Sequence, residues 1–518
     1  MNKLLLALFL LVPLLLVAQP YDPVDAKADT LYSQTVTGFL GSVTADGVVY
    51  SQFRLMPEFR LWKFYVCLDL DFLVDAEGNV RTEDWNELRD LWGKLYYFRF
   101  AGRNDPLYFK IINIDNYSLG QGLLMNRYSN TLLYPTVRNT GAFVGINTSM
   151  MGLGAEFFTH NVVENEILAG RLQIKPLSVS NLPVLKTLTL GANVVVDRNQ
   201  WGKYRDRDGD GVPDVYDSFP GNADYTEDSD DDGVADEIDI DIDGDNSLDS
   251  PALNPYVETV YPGIGGQGYN LDTDIVQDIL TRYTDTRQIR TYSVDYRVSL
   301  YDDEDFQLYN YAELAFIEGH GQGLVLPGFG AKFWILHANL ELRRYTDGFL
   351  PGYFDNLYDD QRAYYYCDTD PVTGQRLYYM RSKDETLQNA KAAVGWYGSL
   401  VADLPHVASL TASYQDMYGE NLSTGKSLLG QISVYPSFIR NLEEANLSYA
   451  QKNLPYINFT KLRTPGAEVT GSLHYRIAQN ANLVGRYSEH YHDLNNDGQI
   501  NTKEETIKKL TFGVEFTF

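Results

Sequence analysis

The last residues of the chain, TIKKLTFGVEFTF, alternate strictly. Leu510, Phe512, Val514, Phe516 and Phe518 fall on one parity; Lys509, Thr511, Gly513, Glu515 and Thr517 fall on the other. A period of two marks a β-strand with one apolar and one polar face, because successive strand side chains point to opposite sides of the sheet. The pattern recurs in RTYSVDYRVSL, where Tyr292, Val294, Tyr296, Val298 and Leu300 oppose Thr291, Ser293, Asp295, Arg297 and Ser299. It returns in AEVTGSLHYRI, whose Glu468, Thr470, Ser472, His474 and Arg476 share a face.

Alternation alone also suits a soluble sandwich, so three further features bear on the choice. The runs are about ten residues long, the length of a tilted membrane-spanning strand. Short connections alternate with long ones. The 39 Tyr and 24 Phe suffice for aromatic girdles at two membrane interfaces. Long connections fall near 76–93, 115–139, 160–166, 199–288, 318–323, 347–388, 416–425, 453–465 and 492–505. All lie on one side of the sheet if 324–346 holds two strands. Short ones fall near Asp302–Glu304, Asp403–Pro405 and Ile439–Asn441, and at AQNA before the penultimate strand. The expected fold is all-β: a transmembrane antiparallel barrel of about 20 strands (18–20), with both termini periplasmic.

The N-terminus, MNKLLLALFLLVPLLLVAQ, carries Lys3, an apolar run and a small residue at Ala18. It reads as a secretory signal over 1–18, too short for a spanning helix. Together with the alternating strands and the terminal Phe518, it resembles bacterial outer-membrane β-barrels. That resemblance implies residence in the outer membrane and a C-terminal aromatic read by the assembly machinery. The implied organisation is a first barrel half over 19–198, an external insertion over 199–288 and a second half over 289–518. Cys67 sits in a strand-like run and Cys367 in a loop-like one, so no bridge is expected. The net charge of −28 argues against nucleic acid as a partner.

Much of that charge is local. Residues 201–250 hold 18 acids against 3 bases. In DRDGDGVPDVYDSFP, Asp206, Asp208, Asp210, Asp214 and Asp217 occupy positions 1, 3, 5, 9 and 12 of a loop, with Gly211 at 6. This is EF-hand calcium spacing, in which alternate side chains turn oxygens inward, glycine permits the bend, and the carbonyl of Val212 serves at position 7. Asp228, Asp230, Asp232, Val234, Asp236 and Asp239 repeat the register around Gly233. Asp241, Asp243, Asp245 and Asp249 form a looser copy with Asn246 at the bend and no acid at position 12. Segment 206–249 resembles thrombospondin type 3 repeats, which implies Ca2+ wrapped by loops with little other core. Two carboxylates about 4 Å apart repel by roughly 4 kcal/mol at an effective dielectric near 20, and a divalent ion converts that repulsion to coordination. The competing reading is a disordered acidic spacer. A further match lies in HDLNNDGQINTKEE, where Asp493, Asn495, Asp497, Gln499, Asn501 and Glu504 stand around Gly498. Its competing reading is a polar hairpin tip. Both acidic regions fall in long, outward connections.

The polar strand faces offer Arg99, Arg171, Arg297, Glu313, Glu341, Arg343, Arg476, Arg486 and Glu515, which either line a channel or fill the interior as pairs. A barrel this wide conducts or is plugged. The candidate plug is NYSLGQGLLMNRYSN, 116–130, with two glycines, an apolar patch and Arg127. The Tyr-rich stretch 355–370 either binds a carbohydrate or partner surface or packs on its neighbours. Seven histidines show no Ser–His–Asp spacing, so no enzyme is expected. The leading expectation is passage of small solutes; the other is a surface-binding or adhesion protein for an extracellular ligand, anchored in outer-membrane lipid by its barrel.

Overall fold

Strand pairs with strand in antiparallel register around a closed circuit, in which the first strand, Tyr32–Ala45, meets both its successor, Val48–Leu61, and the last, Thr506–Thr517. The computed structural model describes residues 32–517 apart from 46–47, 75–77, 79, 81–93, 104, 115, 133–138, 205–217, most of 220–286, 304, 370–375, 421, 423–424, 437, 458–460, 479, 492–498 and 501–504. The expected signal segment 1–18 and Phe518 lie outside the described residues. The chain separates into two units: Met1–Asp197 with Ile289–Asp359 and Asp384–Phe518, and Arg198–Gln288 with Asp360–Lys383.

The first unit is a 20-strand antiparallel barrel, a count in which Phe64–Leu68 and Leu70–Val74 form one strand interrupted at Asp69. The segment 324–346 does hold two strands, as parts of Gln322–Phe333 and Leu336–Tyr345. Tight connections, including Trp62–Lys63, Trp334–Ile335 and Pro405–Val407, alternate with longer ones except at the first, between Ala45 and Val48, and at the long one between Ile174 and Thr189. Closure leaves the barrel no free first or last strand, so ladder N–H and C=O groups pair with neighbouring strands, as hydrocarbon demands. Among the described residues no helix is long and apolar enough to cross a bilayer. The strands themselves carry the apolar surface.

Register separates the two faces. Asp295 pairs with Glu313, Asn193 with Ser293, Glu156 with Arg171 and Ser472 with Arg486, and all point inward. The opposite parity is apolar and exposed, with Leu40, Phe53, Phe157, Leu172, Val294, Leu340, Leu342 and Phe512 forming an outward belt. Exposed aromatic residues sit at the turns: Trp62 packs on Phe64 and Phe100, and Phe333 on Phe306. Such a wall, apolar outside and polar inside, inverts a soluble core and matches a bilayer.

The strands are not uniformly about ten residues long. Six consecutive ones, Leu95–Phe100, Leu107–Ile112, Gly141–Asn147, Gly154–Thr159, Ile167–Ile174 and Thr189–Asp197, have 6, 6, 7, 6, 8 and 9 residues. Pro106 and Pro176, with no N–H to donate, mark ends of this low arc, and beyond Ile112 the chain leaves the wall. Cys67 is buried and takes part in no disulfide.

In the second unit, 200–204 forms a short 3-10 turn with Trp201 buried. The strands Ala363–Thr369 and Arg376–Ser382 make a separate two-stranded hairpin.

Candidate functional site: a hairpin folded into the barrel lumen

The segment 113–132 turns back on itself within the barrel unit. Tyr117 and Tyr128 exchange backbone hydrogen bonds of 2.9 and 2.8 Å, and the Leu119 N–H donates to the Met125 carbonyl at 3.1 Å. Gly120 and Gly122 adopt φ of 64° and 86°, a region glycine enters without the Cβ clash that other residues meet. At Gly120 the space is also missing: a Cβ would stand 2.8 Å from Glu313 Oε1 and 2.9 Å from Asn193 Nδ2. Leu119, Leu123, Leu124, Met125 and Tyr128 are buried, so this apolar patch packs rather than facing water.

The tip rests on charged wall residues. Glu313 Oε2 accepts the backbone N–H groups of Gln121 and Leu123, both at 3.1 Å. Its neighbour Asp295 accepts from Arg171 Nη1 at 2.6 Å and Nη2 at 3.0 Å, and from Asn193 Nδ2 at 2.9 Å. The Gln121 amide adds a longer contact to Asp295 at 3.4 Å. A carboxylate clasped by a guanidinium or by two amides remains satisfied away from bulk water.

A second segment, 349–359, packs under the hairpin. The N–H groups of Gly352 and Phe354 donate to the Leu123 and Leu124 carbonyls at 2.9 and 3.0 Å, and the Asn126 N–H donates to the Phe354 carbonyl at 3.0 Å. Phe354 and Tyr358 stack with ring centres 4.5 Å apart. Tyr128 donates to Asp359 at 2.7 Å, and Tyr358 to Asp197 at 2.9 Å. Asn356 donates to Glu468 at 2.6 Å, while Lys452 Nζ lies 3.1 Å from Asp355 and 3.6 Å from Glu468. Lys509 Nζ donates to the carbonyls of Thr131 and Leu132. The contacted strands thus include 189–197, 289–302 and 306–317, and then 442–454, 468–478 and 506–517. These groups lie far apart around the circuit, so the two segments together bridge the lumen.

The remaining wall is polar and mostly self-paired. Arg343 contacts Glu341 and Gln415 at 2.6 Å each, and Tyr311 donates to Glu341 at 2.6 Å. Arg297 lies over the Tyr309 ring, 3.8 Å from its centre. Ser399, Ser413, Gln431, Ser433, Asn446 and Ser472 share the inward parity, and give this arc neutral hydrogen-bonding groups.

All nine lumen candidates face inward by register; among the described contacts Glu313 meets the hairpin tip directly, and Arg171 holds Asp295, which meets Gln121. Asn193 and Lys452 are not among the sequence candidates, Glu468 and Lys509 stand there only as members of a polar strand face, and 349–359 enters only where it overlaps the Tyr-rich stretch 355–370. Their signal was weak: each is one polar residue in an alternating strand, and only contact with a distant loop distinguishes it.

Of the expected calcium positions, Asp236, Asp239 and Gln499 are described; 206–217, 228–234, 241, 243–249, 493–497 and 501–504 lie outside the described residues. Among the described residues no group of three or more His, Cys, Asp or Glu stands together as a metal cluster. Asp239 is only 6% exposed, whereas its neighbours Ile238 and Ile240 are 38% and 36% exposed. The acid turned in and the aliphatics turned out reverse the usual partition.

No family model matches the chain, and no curated protein matches it. Among solved structures the chain is similar to OccK11 (OpdR) of Pseudomonas aeruginosa, at 10% identity and a TM-score of 0.30, over 94% of this chain and 95% of that one. It is similar to OprD of the same organism at 8% identity and a TM-score of 0.32, over 94% and 95%. It is also similar to the siderophore receptor PirA of Pseudomonas aeruginosa at 8% identity and a TM-score of 0.35, over 95% and 81%.

Proposed function

We propose that this chain is an outer-membrane channel that passes small polar solutes through a lumen narrowed by the hairpin at 113–132. The observation that carries this reading is the pairing of a closed, outwardly apolar wall with a polar inner face that the hairpin bridges. Part of the inner face is lined by neutral hydroxyls and amides, among them Ser399, Ser413, Gln431 and Ser433. Because the wall acids and bases largely pair, the lumen carries little net field, and neutral solutes pass at least as readily as ions. The test is swelling of liposomes holding the purified chain. Isotonic neutral sugars of increasing size should give rates that fall with size; liposomes that stay shrunken in the smallest sugar would contradict the proposal.

The acidic loops enter the same proposal as Ca2+ sites on the outward side. The spacing at 206–217 and 228–239 supplies side-chain oxygens at each alternate position, with the Val212 and Val234 carbonyls at position 7. The inward Asp239 supports this reading. The loop 493–504 would offer Glu504 as a ligand through both oxygens. Calcium bound there would order the insertion and leave the barrel's hydrogen bonds unchanged. Calorimetry of the intact protein should show at least two bound ions; a flat titration would remove calcium from the proposal.

A further inference from the structure

The connection between the strands Ile167–Ile174 and Thr189–Asp197 has an unusual surface for a turn on the tight-connection side. It runs KPLSVSNLPVLKTL, and its Leu177, Val179, Leu182 and Leu185 are exposed, Val179 to 87%. The neighbouring turn after Gly141–Asn147 adds exposed Met150 and Leu153. The two are joined: the Lys175 N–H donates to the Met151 carbonyl at 2.7 Å, and Gly152 lies against the Lys175 side chain. The result is one continuous apolar patch below the low arc.

We infer that this patch is a membrane foot, seated among phospholipids of the periplasmic leaflet. Three observations carry the assignment, which rests on the membrane reading of the barrel. The first is length. The strands that end at the patch have 7, 6, 8 and 9 residues, which rise ~20–30 Å and, tilted by about 40°, span ~15–23 Å of an apolar band ~25 Å tall. The low arc therefore falls short of the hydrocarbon thickness, and something apolar must extend it. The second is continuity. The patch adjoins Ile146, Leu172 and Leu190, outward residues of the same strands, so it prolongs the lipid-facing belt.

The third is backbone satisfaction. Irregular backbone is tolerated near hydrocarbon only when its polar groups are paired. Here the N–H groups of Ser178, Ser180, Lys186, Thr187 and Leu188 donate to carbonyls of the same segment at 2.9–3.1 Å, that of Leu182 donates to Ser180 Oγ at 3.2 Å, and Pro176 and Pro183 have none, which leaves five N–H groups of this exposed segment to the water and headgroups of the interface. Thr187 Oγ1 accepts the Ser299 N–H at 2.9 Å and donates to the Val184 carbonyl at 2.7 Å, fastening the foot to the wall. Lys175 and Lys186, both exposed, are placed to reach phosphate headgroups while their stems stay with the apolar patch.

The test uses the full chain with Cys67 and Cys367 replaced by Ser. Single cysteines replace Val179, Leu182, Leu340 in the middle of the outward belt, or Glu420 in a long connection. Each folded variant is labelled with an environment-sensitive fluorophore and reconstituted into phosphatidylethanolamine–phosphatidylglycerol vesicles with brominated acyl chains. The labels at Val179 and Leu182 should be quenched at least half as strongly as that at Leu340, and the label at Glu420 left unquenched. Quenching at Leu340 with none at Val179 and Leu182 would overturn the foot while leaving the barrel in the membrane. Disulfide crosslinking of V179C between copies, without bromine quenching, would assign the patch to a second copy and overturn the lipid assignment. No quenching at Leu340 would remove the membrane reading itself, and the foot with it.

Discussion

The lumen wall and the acidic insertion both gather carboxylates, but they neutralise them differently. In the wall, Asp295 faces Arg171, Glu341 faces Arg343, Glu468 faces Lys452, and Glu313 takes two backbone amides from the hairpin. Each of these four acids has a donor supplied by the same chain. The insertion has no such bases close in sequence: no Lys or Arg occurs between Arg207 and Arg282. The comparison teaches where counter-charge comes from: folding brings it to the wall, and in the proposed calcium reading a bound ion brings it to the insertion.

That contrast is easiest to break by removing calcium. A chelator should raise the rate of proteolysis within 206–249 by more than tenfold, because acids left without an ion repel and the segment loses its order. The barrel, whose charges are internally paired, should keep its resistance and its heat-modifiable gel mobility. Equal sensitivity of both regions would erase the distinction.

The next effect comes from the wall. Arg171→Ala leaves Asp295, with 1% side-chain exposure, without its guanidinium, and breaking a buried pair costs about 3–5 kcal/mol. The temperature of barrel unfolding should fall, and the double change Arg171→Met with Asp295→Leu should recover most of it. A single variant as stable as the parent would mean that the pair is hydrated.

Smaller still is Glu313→Ala, which leaves the Gln121 and Leu123 amides without their acceptor, at about 1–3 kcal/mol for each buried group. Hydrogen exchange at these two amides should speed at least tenfold, while exchange in the neighbouring ladder stays slow. Unchanged exchange would show that Glu313 does not hold the tip.

The smallest effect concerns Asp105, in the turn 101–106. The hydrogen bond from Lys63 and that from the Gly102 N–H, both at 2.8 Å, hold its carboxyl below the usual range. A depressed folded value stabilises above the unfolded value and is lost as pH falls through the folded one. Protection of the Gly102 amide should therefore persist at neutral pH and begin to fade only below roughly pH 4. In Asp105→Asn this acid limb should vanish. Because Asp105 is partly exposed and screened, global stability should barely move.

The sequence made the wall legible because a strand writes its two faces in alternate residues. Thr291, Ser293, Asp295 and Arg297 are inward by parity before any contact is known. The hairpin was legible in kind, since Gly120, Gly122 and an apolar patch sit oddly in an aqueous loop. Its partners were not, because Glu313, Asp359 and Lys509 reach it from far along the chain. The low arc was hidden for a related reason. LYFKII and GAFVGIN look like ordinary strands, and only pairing shows how soon the ladder stops.

The central claim is that the hairpin at 113–132 narrows a conducting lumen. Single-channel conductance in planar bilayers tests it directly, with the full chain compared against a variant in which 119–127 is replaced by a short Gly-Ser link. The full chain should give small, steady steps, and the variant steps several-fold larger at the same voltage. Identical steps, or a silent bilayer with both proteins, would contradict it.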